Sequence, residues 1–235
     1  MPPRVFQKPS LTDVAYQEIR KGILTGKLTP GHRLVVNDLV EEWKISNTPI
    51  KEALNRLVAE GMVEVEPRRG MRVRRRLSAK ELRDMFEIRV LYETHCCRLV
   101  ADNQDEQPAL VAELGDIMEQ VRRSLDDPSS HLFLYELDER FHKRIVSVCG
   151  NPELVKNFAH VHANIVTFGI FSSQQSPLYR QVETYEEHML VLEALRRRSP
   201  EESAEAMREH LRKAAAGMLA FYRTSSGRLE SPNPL

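Results

Sequence analysis

Ser46-Asn47-Thr48-Pro49-Ile50-Lys51-Glu52-Ala53-Leu54-Asn55-Arg56-Leu57-Val58-Ala59-Glu60-Gly61, running on into Met62-Val63-Glu64-Val65-Glu66-Pro67-Arg68-Arg69-Gly70-Met71-Arg72-Val73-Arg74, is the stretch that decides the fold. Ser46 is a good N-cap, and Pro49 sits in the first turn, where its missing N–H costs nothing. Ile50, Ala53, Leu54, Leu57 and Val58 follow at i, i+3, i+4, i+7 and i+8, one face of a helix. Gly61 is the expected stop. The apolar period then changes from 3.6 to 2, so Met62–Glu66 and Met71–Arg74 read as two strands joined by the turn residues Pro67-Arg68-Arg69-Gly70. Working upstream, Val14, Ile19, Ile23 and Leu24 predict a helix over Leu11–Leu28, closed by Gly26 and Pro30-Gly31. A short helix is expected over Asn37–Trp43, with Asn37 as its cap. Three short helices followed by a hairpin form a winged helix-turn-helix. The third helix would lie in a DNA major groove and present Asn47, Thr48 and Lys51. The arginines at the hairpin tip and exit suit backbone phosphate or the minor groove.

Downstream the pattern is helical throughout. Ser78-Ala79-Lys80-Glu81 is a capping box opening a helix to about Asp102. Further helices are expected over about Pro108–Leu125, His131–Val148, Pro152–Phe171, Leu178–Arg198 and from Pro200 to near Tyr222. The fold class is therefore mainly α: an N-terminal winged helix-turn-helix with a small β-hairpin, then an antiparallel all-α bundle of six or seven helices. The domains are read as 1–77 for the winged helix and 78–224 for the bundle. Residues 225–235 are read as a disordered tail rich in Ser, Pro and Gly.

Composition narrows the function. The chain has 235 residues with a net charge of zero, but the charge is unevenly spread. Residues 1–77 hold 15 Lys and Arg against 9 Asp and Glu, while the remainder holds 19 against 25. A basic third joined to an acidic remainder is the balance of a nucleic-acid-binding module attached to something else. No apolar run approaches the ~18 residues of a membrane span, and Met1–Ser10 lacks the apolar core of a secretion signal. Three cysteines do not make a disulfide framework. They read as small core residues in a reducing, cytoplasmic protein.

Gly31-x-x-Leu34, Leu39, the run Ser46–Leu54 with Leu57 and Glu60-Gly61, and Arg69-Gly70 together resemble the GntR family of bacterial transcription regulators. The helical remainder is similar to the FCD effector domain of the FadR subfamily, through Arg89-x-x-x-Glu93, Asp138-x-x-Phe141-His142, Gly150-Asn151-Pro152, Glu187-His188 and His210-Leu211. A six-helix bundle of this length is nearer the VanR-like branch. The resemblance implies double-stranded operator DNA, touched by Asn37, Ser46, Asn47, Thr48 and Lys51, with Arg69 and Gly70 at the wing. A homodimer is expected because a single recognition helix reads only a few base pairs and two-fold symmetry doubles the site. Two positions depart from the family, which usually has Arg at 47 and at 51. Arg grips guanine through two hydrogen bonds, Asn suits adenine and Lys is a point charge, so a different half-site is expected.

Asp138 and His142 stand at i and i+4 on one helix face, while His188 and His210 lie on two other expected helices. One carboxylate and three imidazoles suit a divalent transition metal: Zn first, with Ni, Fe, Mn or Cu possible. Spacing alone is a weak signal, because Asp-x-x-x-His is common and more often marks a surface salt pair. The resemblance implies the metal, because metal-binding FCD domains carry an Asp and three His at these positions. It also implies a small organic acid effector whose carboxylate meets the ion. Arg89 falls on an apolar stripe and needs an anion, which is either that effector or Glu93 at i+4. His162 falls on the stripe of Phe158, Val161 and Ile165, where it reads either as effector-binding or as a satisfied core histidine.

Three functions follow. The first is a ligand-responsive DNA-binding regulator, a repressor by preference and not an enzyme. The second is a regulator for which the metal itself is the signal. The third is a metallohydrolase using the Asp/His centre. Against the last, the sequence has no P-loop, no His-Glu-x-x-His and no triad motif, and Glu187 points about 100° away from its neighbour His188.

Overall fold

The computed structural model describes residues 9–103, 105–127, 130–173 and 180–229. The chain divides into two compact units, Met1–Arg76 and Leu77–Leu235. The sequence placed this boundary one residue later.

In the first unit, helix α1 spans Leu11–Leu24 and is opened by Ser10 and Asp13 in a reciprocal capping box. It buries Ala15, Ile19 and Ile23 against Ile50, Leu54 and Leu57 of helix α3, Asn47–Ala59. Two polar ties reinforce this packing. Arg56 pairs with Asp13 at 2.7 Å, and the Tyr16 hydroxyl donates to Glu60 at 2.8 Å. The α1 helix stops four residues short of the expected end, because Gly26 turns at φ 73° and the Leu28 N–H closes back on the Gly22 carbonyl. Helix α2, Val36–Trp43, starts one residue early and has no side-chain cap, so Asn37 sits in its first turn instead of capping it. Strand β1, Arg33–Leu34, was not expected. Two residues carry too little pattern to read. It joins β2, Val63–Glu66, and β3, Gly70–Val73, in an antiparallel sheet of order β1-β3-β2, with Val63 opposite Val73 and Glu66 opposite Gly70. At the hairpin tip Arg68 and Gly70 both have positive φ, 65° and 86°. Arg68 in this left-handed conformation is uncommon for a side chain that large, and Gly70 meets the same demand at no cost.

The second unit contains six helices among the described residues: α4 Ala79–Asp102, α5 Gln107–Ser124, α6 His131–Ser147, α7 Pro152–Ser173, α8 Gln181–Arg196 and α9 Pro200–Leu229. The capping box at Ser78 and Glu81 forms as the sequence predicted. The α4 helix packs most extensively on α9 and also touches α6 and α7, while α8 packs on α9 and α5. The core between them holds Phe86, Leu114, Leu137, Phe141, Phe158 and Leu192. The last helix runs to Leu229, so the tail expected from residue 225 is helical for its first five residues. Ser225, Ser226 and Gly227 are weak helix formers but not breakers; the first breaker is Pro232. Residues 230–235 lie outside the described residues.

Candidate functional site

On the winged helix, Asn37, Ser46, Asn47, Thr48, Lys51, Arg69 and Gly70 are all exposed. Ser46 holds the extended conformation of an N-cap, yet its hydroxyl makes no capping bond. The leading N–H groups of α3 and this hydroxyl therefore remain open to an external acceptor, the arrangement that receives a phosphate at a helix N-terminus. Lys51 and Asn55 of α3 share one concavity with Arg69 and Gly70 of the wing. Asn55, one turn beyond Lys51, was not singled out from the sequence. Arg72 is engaged by Glu66 across the hairpin.

Within the helical unit, α6 supplies Asp138 and His142, α8 supplies His188 and α9 supplies His210. The three imidazoles are 1–3% exposed, and their Nε2 atoms form a near-equilateral triangle: 3.2 Å from His142 to His188, 3.3 Å from His188 to His210 and 3.3 Å from His210 to His142. A tetrahedral zinc bonded at about 2.0–2.1 Å sets neighbouring donor atoms roughly 3.3–3.4 Å apart, so the spacing fits a shared ion. Asp138 Oδ1 stands 3.7 Å from His142 Nε2 and 3.6 Å from His188 Nε2. The i,i+4 step brings Asp138 and His142 together as the sequence predicted.

Each outer nitrogen then finds its own support. His142 donates its Nδ1–H to Glu93 of α4, and His210 donates its Nδ1–H to Glu187 at 2.9 Å. These bonds leave both Nε2 lone pairs pointing inward, which is the tautomer a metal needs. His188 instead stacks on Phe141 with ring centroids 4.3 Å apart. Burial pushes His142 and His188 well below the ordinary histidine range; the charge of Arg89 adds to the effect at His142, and the neighbouring His210 and His142 add to it at His188, so both rings are held neutral. Burial raises the Asp138 carboxyl, against the lowering pull of Arg89. Burial also acts to raise Glu187, but the His210 hydrogen bond and the charges of Arg180 and Lys213 outweigh it and hold Glu187 below its ordinary value.

A cavity of about 100 Å³ opens beside the triangle, lined by Asp138, His142, His188 and His210 together with Arg89, Arg180, Thr184 and Tyr185. Arg89 is 3% exposed and donates from Nε to Glu93 at 2.5 Å, so the i+4 pairing is real. Its Nη2 is buried without a hydrogen-bond partner among the described residues. Thus Glu93 satisfies the Nε side of the guanidinium and leaves a donor over on a residue that lines the cavity. His162, also read as effector-binding, does not line this cavity. It stands beside His142, with ring centroids 5.5 Å apart.

Sequence reasoning missed the carboxylate supports. Glu93 was seen only as a partner for Arg89, and Glu187 was set aside because its side chain diverges from His188. That divergence is what turns it onto His210 of the next helix. Arg180, which pairs with Glu187, had no pattern around it that marked it.

A winged helix followed by a helical domain whose cavity joins an apolar wall to a cluster of histidines and arginines is the build of a transcription regulator that answers to a small ligand. Residues 11–73 match the family described as bacterial regulatory proteins, gntR family, and residues 84–213 match the FCD domain. The chain belongs to the GntR family, in the group that carries an FCD domain; its members are transcription regulators, not enzymes, which removes the metallohydrolase reading. It is 30% identical to the Nta operon transcriptional regulator of Aminobacter aminovorans over 184 residues, 78% of this chain and 83% of the relative. It is 26% identical to the HTH-type transcriptional repressor GlaR of Escherichia coli over 202 residues, 83% of this chain and 90% of that protein. Its fold is similar to that of E. coli McbR/YncC, with a TM-score of 0.74 at 22% identity over 93% of this chain and all of the other. A GntR regulator from Rhodococcus sp. RHA1 gives 0.72 at 20% identity, covering 90% and 99% of the two chains. Among the described residues, no helix is long and apolar enough to cross a membrane.

Proposed function

We propose that this protein is a dimeric operator-binding repressor whose helical unit holds a divalent metal through Asp138, His142, His188 and His210 and uses it, with Arg89, to bind a small organic acid. The observation that carries the reading is the unpaired Nη2 of buried Arg89, a residue that lines the same cavity as three converged imidazoles. A cation at the triangle and a guanidinium on the same cavity favour one carboxylate between them. Such contacts are strong in a water-poor site. When bound, the metal supplies a Lewis-acidic position for a carboxylate oxygen. The chain itself orients the ligands through Glu93 and Glu187 and presents the second positive charge. The apolar part of the cavity wall, Val121, Leu134 and Ile165, limits the effector to a compact molecule. If the metal alone were the signal, the leftover donor on Arg89 would have no purpose, so the effector reading is favoured over metal sensing.

The test is Arg89→Lys. Lysine keeps a positive charge for Glu93 but loses the fork that reaches both Glu93 and the cavity. Release of an operator duplex by a panel of short carboxylic acids should then need roughly 10- to 100-fold more acid, the equivalent of about 1.5–3 kcal/mol for a hydrogen bond to a charged group. Metal content and ligand-free operator affinity should stay near wild type. Unchanged release by every acid that releases wild type refutes the assignment.

On the DNA side, Lys51→Ala should cost specific binding about 1–3 kcal/mol if Lys51 reads a base. Arg69→Ala should weaken binding to all duplexes alike and lower the slope of log K against log salt by about one. Fluorescence anisotropy on operator and scrambled duplexes at several salt concentrations distinguishes the two. Equal losses on both duplexes for Lys51→Ala would place it on phosphate instead.

A further inference from the structure

We propose that His162 is a fourth imidazole ligand of the same ion, so that the centre is built for five protein donors and leaves one position for the effector. This rests on the metal reading above and goes beyond its four ligands.

His162 lies on α7 and is wholly buried. Neither ring nitrogen has a hydrogen-bond partner among the described residues. Its neighbour Phe158, at 5.2 Å between ring centroids, is apolar and offers it nothing. A histidine serving only as core has at least one nitrogen satisfied by a carbonyl or a hydroxyl, because an unpaired buried polar group is destabilising. With two unpaired nitrogens, a leucine would serve the core better. The ring has to be there for something it binds.

Its position says what that is. One donor atom each from Asp138, His142 and His162 lie within 4.8 Å of one another, just as those of His142, His188 and His210 do. The two triads share His142, and Asp138 lies within 4 Å of both His142 and His188. His162 therefore joins the ligand cluster from the side of Asp138 and His142, on a helix that contributes no other ligand. Protein zinc is content with four donors, whereas nickel, cobalt, iron and manganese accept six. Five protein donors select for the second group, and the remaining position faces the cavity that Arg89 shares.

The experiment counts imidazoles directly. Full-length protein is stripped with chelator and reloaded with cobalt(II), and its paramagnetic proton NMR spectrum is recorded in water. Each coordinated histidine with a protonated outer nitrogen gives one exchangeable, strongly shifted signal. Four such signals are expected from wild type and three from His162→Leu, whose side chain suits the apolar surroundings and should leave the fold intact by circular dichroism. Cobalt affinity of the variant should fall tenfold or more, with a smaller change for zinc. Three signals in both proteins, or equal cobalt affinity, overturns the proposal while leaving the four-ligand centre standing. No cobalt uptake by wild type overturns the metal centre itself and this ligand with it.

Discussion

Glu93→Ala is expected to destabilise the metal-free helical unit by about 3–5 kcal/mol, the cost of breaking a buried ion pair from one side. Glu93 is wholly buried and serves two partners at once, the Nε of Arg89 and the Nδ1 of His142. Removing it leaves a guanidinium inside the bundle with its charge unanswered, on a helix that packs against α9, α6 and α7. Denaturant unfolding in the presence of chelator measures the loss. A double variant, Arg89→Met with Glu93→Leu, should regain much of it, since an apolar pair of similar volume replaces the charges. A loss under about 1 kcal/mol in the single variant would mean that water reaches Arg89 and that the pair is not structural.

The second large effect is expected from His188→Ala. This ring completes the Nε2 triangle and has no carboxylate of its own, so its substitution removes a ligand without stranding a buried charge. Divalent metal in the purified protein should fall to background by elemental analysis. The stabilisation that metal confers on wild type, about 4 kcal/mol when free metal is a thousandfold above its dissociation constant, should vanish with it. Thermal unfolding with and without added metal should therefore show a large difference for wild type and none for the variant. Metal-free stability should drop by less, because the loss is one of ring packing against Phe141, His142 and His210. Retained stoichiometric metal in His188→Ala would place the ion elsewhere.

The elements that were legible in the sequence are those with a repeated or local signal. The α3 face, the change of period at Met62 and the capping box at Ser78 each depend on residues within a few positions of one another, and all three appear where expected. The Asp138 to His142 step is equally local. What could not be read lies across helices. Glu93 is 49 positions from His142 and Glu187 is 23 from His210. No spacing rule relates such pairs; only the packing of α4 on α6 and α8 on α9 brings them together. Arg89 shows both cases. Its bond to Glu93 is a one-turn step and was foreseeable, whereas the unsatisfied Nη2 is visible only once every neighbour is placed. Element ends were missed where backbone geometry, not side-chain pattern, decides them, as at Gly26 and in β1.

The support of two ligand histidines by Glu93 and Glu187 has a consequence for the life of the chain in a cell. In the proposed centre the ion's direct ligands sit on α6, α7, α8 and α9, and through Glu93 its grip would extend to α4, one partner in the largest helix–helix interface of the unit. Losing the proposed ion would slacken these five helices together, so the metal-free molecule is expected to open more often as a whole instead of fraying at one end. Proteases act on that opened population, and about 1–2 kcal/mol is enough to alter steady-state abundance several-fold. If the proposed centre holds, copies made when metal is scarce are expected to be cleared sooner, and the supply of regulator to its operators would follow the supply of metal before any effector is sensed.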